Sequence, residues 1–147
     1  MARIKLTLPA QFSFTTEIPV RITDVNYGGH VGNDAILSII HEARMQYLHQ
    51  HGYSEISFAG AGLIMSDVAI DFKNEVFYGD TIIARVTAND FSKVGFDISY
   101  KLEKIKEGKT LTVALAKTGM VCYDYEARRI AAVPEAAITA LTTSSAQ

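Results

Sequence analysis

Between Asp24 and Asn33 the chain reads Asp-Val-Asn-Tyr-Gly-Gly-His-Val-Gly-Asn, and an apolar helical pattern begins immediately afterwards. These side chains can hold a polar group and move a proton. His30 has the side chain whose ordinary pKa lies nearest neutrality, which suits it to act as a base. Asn26 can hold a water but cannot deprotonate it, because an amide is not a base at neutral pH. Asp24 in the same stretch and Glu42 within the helical pattern are the other candidate proton acceptors. Burial would raise the pKa of Glu42 unless it is paired.

The helix itself supplies the complementary chemistry. The N–H groups of a first helical turn have no partners inside the helix, and the helix dipole favours negative charge there. A carbonyl oxygen that gains charge during a reaction can bind at such an end. Gly28, Gly29 and Gly32 would let the backbone bend and approach a substrate. Tyr27, Val31 and Asn33 complete the candidate binding loop, and Ser66 is the lone hydroxyl on an otherwise apolar strand face. Each has a structural alternative. His30 can bond the loop backbone, Asp24 can fix the loop through Arg21, Glu42 can join an ion pair with Arg44, and Asn33 can cap the helix.

The elements that must position these groups are legible from periodicity. Residues from Asn33 or Asp34 to Leu48 read as a helix. Ile36, Ile40, Ala43 and Tyr47 follow the 3–4 spacing, and Leu37, Ile39 and Leu48 widen the stripe. So broad a stripe predicts a helix mostly wrapped by the rest of the fold, with Asn33 or Asp34 as its N-cap. Before it, Phe12, Phe14, Ile18, Val20 and Ile22 alternate; Pro19 predicts an edge strand or bulge. After Gly62 the period is two: Ile64, Ser66, Val68, Ile70 and Phe72 on one face, Met65, Asp67, Asp71 and Lys73 on the other. A turn at Tyr78–Asp80 leads to a strand with Ile82, Ala84, Val86 and Ala88 inward. Val94, Phe96, Ile98, Tyr100 and Leu102 predict another, closed by a Lys-Glu-Gly-Lys hairpin. The last long strand carries small Thr112, Ala114 and Ala116, with a bulge expected at Gly119 and Cys122 in the core. A short helix starting at Pro134 closes the chain, and the tail after it should fray. Short connections make the later strands antiparallel, so one apolar sheet face covering one long helix is the expected α+β architecture.

Composition narrows the function classes. The 147 residues carry a formal net charge of −2 and no basic block, which disfavours nucleic acid and anionic membrane as partners. The single cysteine admits no internal disulfide and suits a reducing, cytoplasmic compartment. No apolar run has the length of a signal or membrane segment.

The motifs carry a resemblance. Arg21, Asp24, Gly29, His30, Val31 and Asn33 resemble the loop R-x-x-D-x-D-x-x-G-H-V-N-N of the hotdog-fold 4-hydroxybenzoyl-CoA/acyl-CoA thioesterase-like family. His41–Arg44 resembles its E-E-A-R, and residues 67–82 resemble its x-x-x-I-x-Y-x-x-P-x-x-x-G-D-x-L strand pair. The closing strand and "PE" also match, so the resemblance spans about residues 12–140 of a single domain. It implies an antiparallel sheet around one central helix and a homodimer with a continuous sheet, often paired into a homotetramer. It also implies active sites at the subunit interface, acyl-CoA or related pantetheine thioesters as substrates, and no metal or redox cofactor. Two positions depart from the pattern: Asn26 stands where the family commonly has its catalytic acid, and Gly32 stands for the first Asn after the Val. The expectation is therefore a thioesterase in which Asn26 orients water and carbonyl, assisted by His30 or a carboxylate. A non-catalytic acyl-thioester binding protein that has lost the acid is the main alternative, and a hotdog dehydratase ranks last.

Overall fold

Alternating apolar residues build the centre of the sheet. In the computed structural model, which describes residues 1–143, β3 (Thr81–Asn89), β4 (Gly95–Lys106) and β5 (Lys109–Asp124) are antiparallel neighbours. Ile82, Ala84, Val86 and Ala88 of β3 and Phe96, Ile98, Tyr100 and Leu102 of β4 are all buried, as their alternation predicts. The hairpin between β4 and β5 turns through Glu107 and Gly108, both at positive φ.

β1 (Phe14–Pro19) adds to β3, and β2 (Gly62–Phe72) adds to the far side of β5. The order β1-β3-β4-β5-β2 leaves β1 and β2 as edges, with two-residue β6 (Arg129–Ile130) paired to the end of β5. Pro19 thus sits at the end of an edge strand, where its missing N–H costs no ladder bond. Ile22 does not continue the inward row: it lies in a short 3₁₀ turn, Ile22–Asp24, and is exposed. Val94 likewise falls before β4 and is partly exposed.

The long helix α1 (Asn33–Gln50) packs on the inner sheet face through Ile36, Ile39, Ile40, Ala43, Tyr47 and Leu48. Each large apolar side chain removed from water here contributes roughly 1.5–3 kcal/mol before entropy is counted. Tyr47 does more than fill space. Its hydroxyl accepts the Ala88 N–H at 3.1 Å, a donor beyond the reach of β1, whose pairing with β3 stops at Phe14 and Val86. The helix is less enclosed than its wide stripe suggests, because Asn33, Asp34, Leu37, Ser38, His41 and Glu42 all remain exposed. Its N-cap is Gly32, not Asn33 or Asp34. The Gly32 carbonyl accepts the Ile36 N–H at 3.1 Å, which starts the helix one residue earlier than side-chain capping preference indicates.

β2 departs from simple alternation. Its pairing with β5 runs Met65↔Met120 and then Asp67↔Gly119, so Ser66 is the extra residue of a bulge. The bulge reverses the faces: Met65 joins Val68, Ile70 and Phe72 on the inner side, and Ile64 moves to the outer side with Asp67 and Asp71. Gly119 marks the bulge from the opposite strand. A Cβ there would lie 2.6 Å from Asp67 Oδ1 and 3.0 Å from Ser66 Oγ. A second irregularity, between Leu102 and Glu103 of β4, leaves Val113 of β5 without a partner on β4 and separates Thr112 from the fully buried Ala114 and Ala116.

Helix α2 (Glu135–Thr142) closes the structure with Ala137 and Leu141 buried; Pro134 is its N-cap. Of the tail expected to fray, residues 144–147 lie outside the described residues. Among those described, no helix is long and apolar enough to cross a membrane.

Candidate active site

The loop from Asp24 to Gly32 is a small hairpin stitched by its own polar groups. Asn26 N–H donates to the His30 carbonyl at 2.9 Å, and Gly29 N–H donates to the Asn26 carbonyl at 3.1 Å. Val25 and Val31 form an isolated bridge. The Asn26 side chain does the work of an Asx turn: Oδ1 accepts Gly28 N–H at 2.9 Å and His30 N–H at 3.4 Å. Gly29 adopts φ +88°, a conformation that L side chains rarely take. Gly32 has an ordinary φ of −74°, and a Cβ there would meet only the tip of the exposed Asp34 side chain, so a larger residue would need that side chain to turn away.

Asp24 is committed to holding this loop. Its carboxylate accepts the Arg21 N–H at 2.8 Å and pairs with the Arg21 guanidinium at 3.2 Å, and its carbonyl accepts the Gly32 N–H. The same pairing raises the Arg21 pKa above its usual value. Glu42 is exposed, not buried as its place on the helix suggested, because it falls on the open side of α1. It accepts from Gln46 Nε2 at 2.7 Å, and Gln46 Oε1 in turn accepts from Thr16. Arg44 pairs not with Glu42 but with Glu55, at 3.4 Å, and is itself buried. It also donates to the Tyr100 hydroxyl at 3.3 Å, which bonds Thr118. His41 joins this cluster through Glu55 at 2.9 Å.

Five of the candidate residues line two separate hollows, while Asn26, Tyr27, Gly28, Gly29 and Ser66 line neither. Asp24 and Glu42 line a groove of about 410 Å³ with Arg21, Ser38, Ile39 and Gln46. His30, Val31 and Asn33 line a cleft of about 250 Å³ with Ile36, Phe72, Glu75 and Val76. The groove is larger, but its Asp24 and Glu42 carboxylates are already engaged, which leaves exposed Glu17 as its unpaired acid among the described residues. The cleft instead sets a histidine beside a helix end. No side chain caps α1, and the N–H groups of Asn33, Asp34 and Ala35 make no bond back to the loop. The His30 side chain is 40% exposed, and its Nδ1 lies 3.7 Å from Glu75 Oε2.

Other candidates lie elsewhere. Tyr27 is fully exposed at the loop tip. Ser66, in the bulge, donates to the Gly119 carbonyl at 3.1 Å and lies outside the cleft. Phe58 lines neither hollow; it is fully buried and stacks on Phe96. Two strand cations not among the candidates, Arg85 and Lys101, both pair with Glu103. Cys122 is a core residue, its thiol pushed up to about 11 by burial. Among the described residues no three His, Cys, Asp or Glu side chains gather as a metal site.

Two functional neighbours escaped the sequence pattern. Glu75 lies 45 positions beyond His30 in an irregular segment where periodicity is silent. Lys104 reads as one more polar strand residue, yet it is buried, and its Nζ donates to the Glu75 carbonyl at 2.7 Å and to Asp80 Oδ2 at 3.1 Å. Asp80, the acid of the Tyr-Gly-Asp turn, also accepts the Phe77 N–H at 2.9 Å. The turn motif therefore fixes the wall of the cleft that faces the loop.

Residues 20–141 match the family model of the thioesterase-like superfamily. Among curated proteins, none matches the chain. Among solved structures, a 1,4-dihydroxy-2-naphthoyl-CoA thioesterase from Synechocystis is 26% identical with a TM-score of 0.78, over 88% of this chain and 96% of that one. A 4-hydroxybenzoyl-CoA thioesterase from Pseudomonas sp. strain CBS-3 shares the fold at 17% identity, with a TM-score of 0.77 over 88% of this chain and 99% of that one. A thioesterase superfamily protein from Jannaschia sp. CCS1, also 17% identical, superposes with a TM-score of 0.81 over 92% and 85% of the two chains.

Proposed function

We propose, from the premise that this chain belongs to the thioesterase-like superfamily, that it hydrolyses an acyl-CoA thioester to the free acid and coenzyme A beside the start of α1. One observation carries this conclusion: the His30 imidazole and the uncapped first turn of the helix border the same cleft. The thioester carbonyl docks on the unpaired main-chain N–H groups, which hold its oxygen more strongly as charge develops on it. A water beside His30 gives a proton to the imidazole as its oxygen attacks the carbonyl carbon. The tetrahedral intermediate then expels the coenzyme A sulfur, which takes that proton, leaving the acid.

Asn26 supports this chemistry from the loop. Its Oδ1 is occupied by two N–H groups, and its Nδ2 remains a donor for water or carbonyl. Coenzyme A enters as part of the substrate, with no metal or redox cofactor taking part, and the cytoplasm is the working compartment. The acting unit is a homodimer joined along the free edge of β2. Phe72 belongs both to that edge and to the cleft, so a partner chain would complete the site.

Thiol release from a panel of acyl-CoA thioesters is the direct test. The parent protein should release thiol, and His30→Ala should lower kcat about a hundredfold or more, the usual scale for losing a general base. Equal rates for parent and variant would remove His30 from the reaction. Binding of acyl-CoA by the parent without thiol release would mark a non-catalytic acyl-thioester binding protein. Hydration of an enoyl thioester without thiol release would mark a dehydratase.

A further inference from the structure

We infer that Glu75 is a positioning residue for His30: its carboxylate faces Nδ1 of the imidazole across the cleft, orienting the ring so that Nε2 is free to take the proton of water. This rests on the proposed hydrolysis for its role in turnover, and on geometry alone for the pairing.

The pairing is fixed by the backbone. His30 and Glu75 each immediately precede one partner of the Val31 N–H to Val76 carbonyl hydrogen bond, 2.8 Å long. That bond holds the two chain segments side by side and brings the preceding side chains together. Both ends are anchored, because the Val31 and Val76 side chains are buried. On the Glu75 side, the ammonium of buried Lys104 grips the Glu75 carbonyl and Asp80 at once. On the His30 side, Asn26 Oδ1 accepts the His30 N–H.

Among the described residues no lysine or arginine pairs with this carboxylate. Lys104 binds the Glu75 carbonyl, not its side chain, and neighbouring Lys73 pairs with Asp71 at 3.0 Å. Among the described residues, His30 is the only chargeable partner within salt-bridge distance of Glu75. The 3.7 Å separation exceeds a hydrogen bond, but Glu75 is 66% exposed and has room to close. Catalytic contacts are commonly loose until substrate binds. A carboxylate beyond Nδ1 selects the tautomer that carries its proton there and stabilises the imidazolium once formed, as in other histidine–carboxylate pairs. The position is also distinctive: in the strand-pair pattern that residues 67–82 resemble, Glu75 stands at the proline. The chain thus has an amide at Asn26, bonded to the His30 backbone, and an acid at Glu75, facing the His30 ring.

The test has a spectroscopic and a kinetic arm. In the ¹⁵N-labelled full chain, the ring nitrogens of His30 are assigned by comparison with His30→Gln. Neutral His30 should be mainly the Nδ1–H tautomer in the parent and move toward Nε2–H in Glu75→Ala. That variant should lose at least about tenfold in kcat, with KM changed less than twofold. Its thermal midpoint should barely move, since an exposed pair adds little stability. An unchanged tautomer would overturn the pairing, and an unchanged kcat would overturn its part in turnover. A tautomer shift in a protein that releases no thiol from any acyl-CoA would keep the pairing and discard the hydrolysis.

Discussion

Asn26 is the residue whose side chain shapes the loop before α1. Its amide is a good scaffold, since one oxygen satisfies two N–H groups. A carboxylate of the same shape could keep both bonds, because either of its oxygens can accept as the amide oxygen does. Asn26→Asp should therefore fold normally and place a second proton acceptor in the loop. We expect kcat for acyl-CoA hydrolysis to rise by about tenfold to a hundredfold, read by thiol release. A rate no different from the parent would show that the tip of the loop is too far from the reacting carbonyl to help. At this scale the sequence was informative about residue types and weak about their company. The structural alternative for Asp24, a tether through Arg21, was readable because the two lie three residues apart. Glu75 was unreadable because only a tertiary backbone bond brings it to His30. Burial of Lys104 was unreadable for a related reason: a lysine on a strand is ordinarily solvated, and only the fold reveals that this one closes a turn.

At the scale of elements, the Tyr78–Asp80 turn shows how a short motif becomes a wall of the site. Burial alone would push the Asp80 carboxyl up, but the Phe77 N–H and the Lys104 ammonium outweigh it and hold its pKa below the ordinary value. A carboxyl depressed on folding contributes stability above its unfolded pKa, and that contribution disappears as pH falls through the lower folded value. The loss should therefore set in below about pH 4 and continue to lower pH. Asp80→Asn keeps an acceptor for Phe77 but cannot titrate. Its thermal midpoint should lie below the parent's at neutral pH, with the gap narrowing as pH drops below about 4 in circular dichroism melts. A gap independent of pH would mean that the charge is irrelevant to the turn. The inward rows of β3 and β4 were legible because clean alternation admits one register. β2 was not, because one extra residue at Ser66 exchanges the faces on either side of it, and nothing in the alternation announces the insertion. Gly119 did announce that something close would happen, but placed the bulge on the wrong strand.

At the scale of the whole molecule, the sheet leaves one side unfinished. Met65, Val68 and Phe72 share the inner face of β2 yet each is more than a third exposed. Among the described residues no strand pairs with β2 on this side, although its Leu63 N–H donates to the Glu55 carbonyl at 2.6 Å. An apolar stripe along an open edge is what a second copy of the chain would cover by extending the sheet, and such a contact is self-complementary across a twofold axis. The opposite edge is a poorer candidate: β1 is six residues long and ends in Pro19, and its inward Ile18 is already buried. We expect light scattering after gel filtration to give twice the chain mass. Val68→Lys, which puts a solvated ammonium at the centre of the stripe, should give the single-chain mass without unfolding the sheet. Because Phe72 also lines the His30 cleft, the monomeric variant should lose most of its kcat/KM although Val68 itself lies outside that cleft. A monomeric parent with full thiol-releasing activity would show that one chain builds the site alone, and the exposed stripe would then need another occupant.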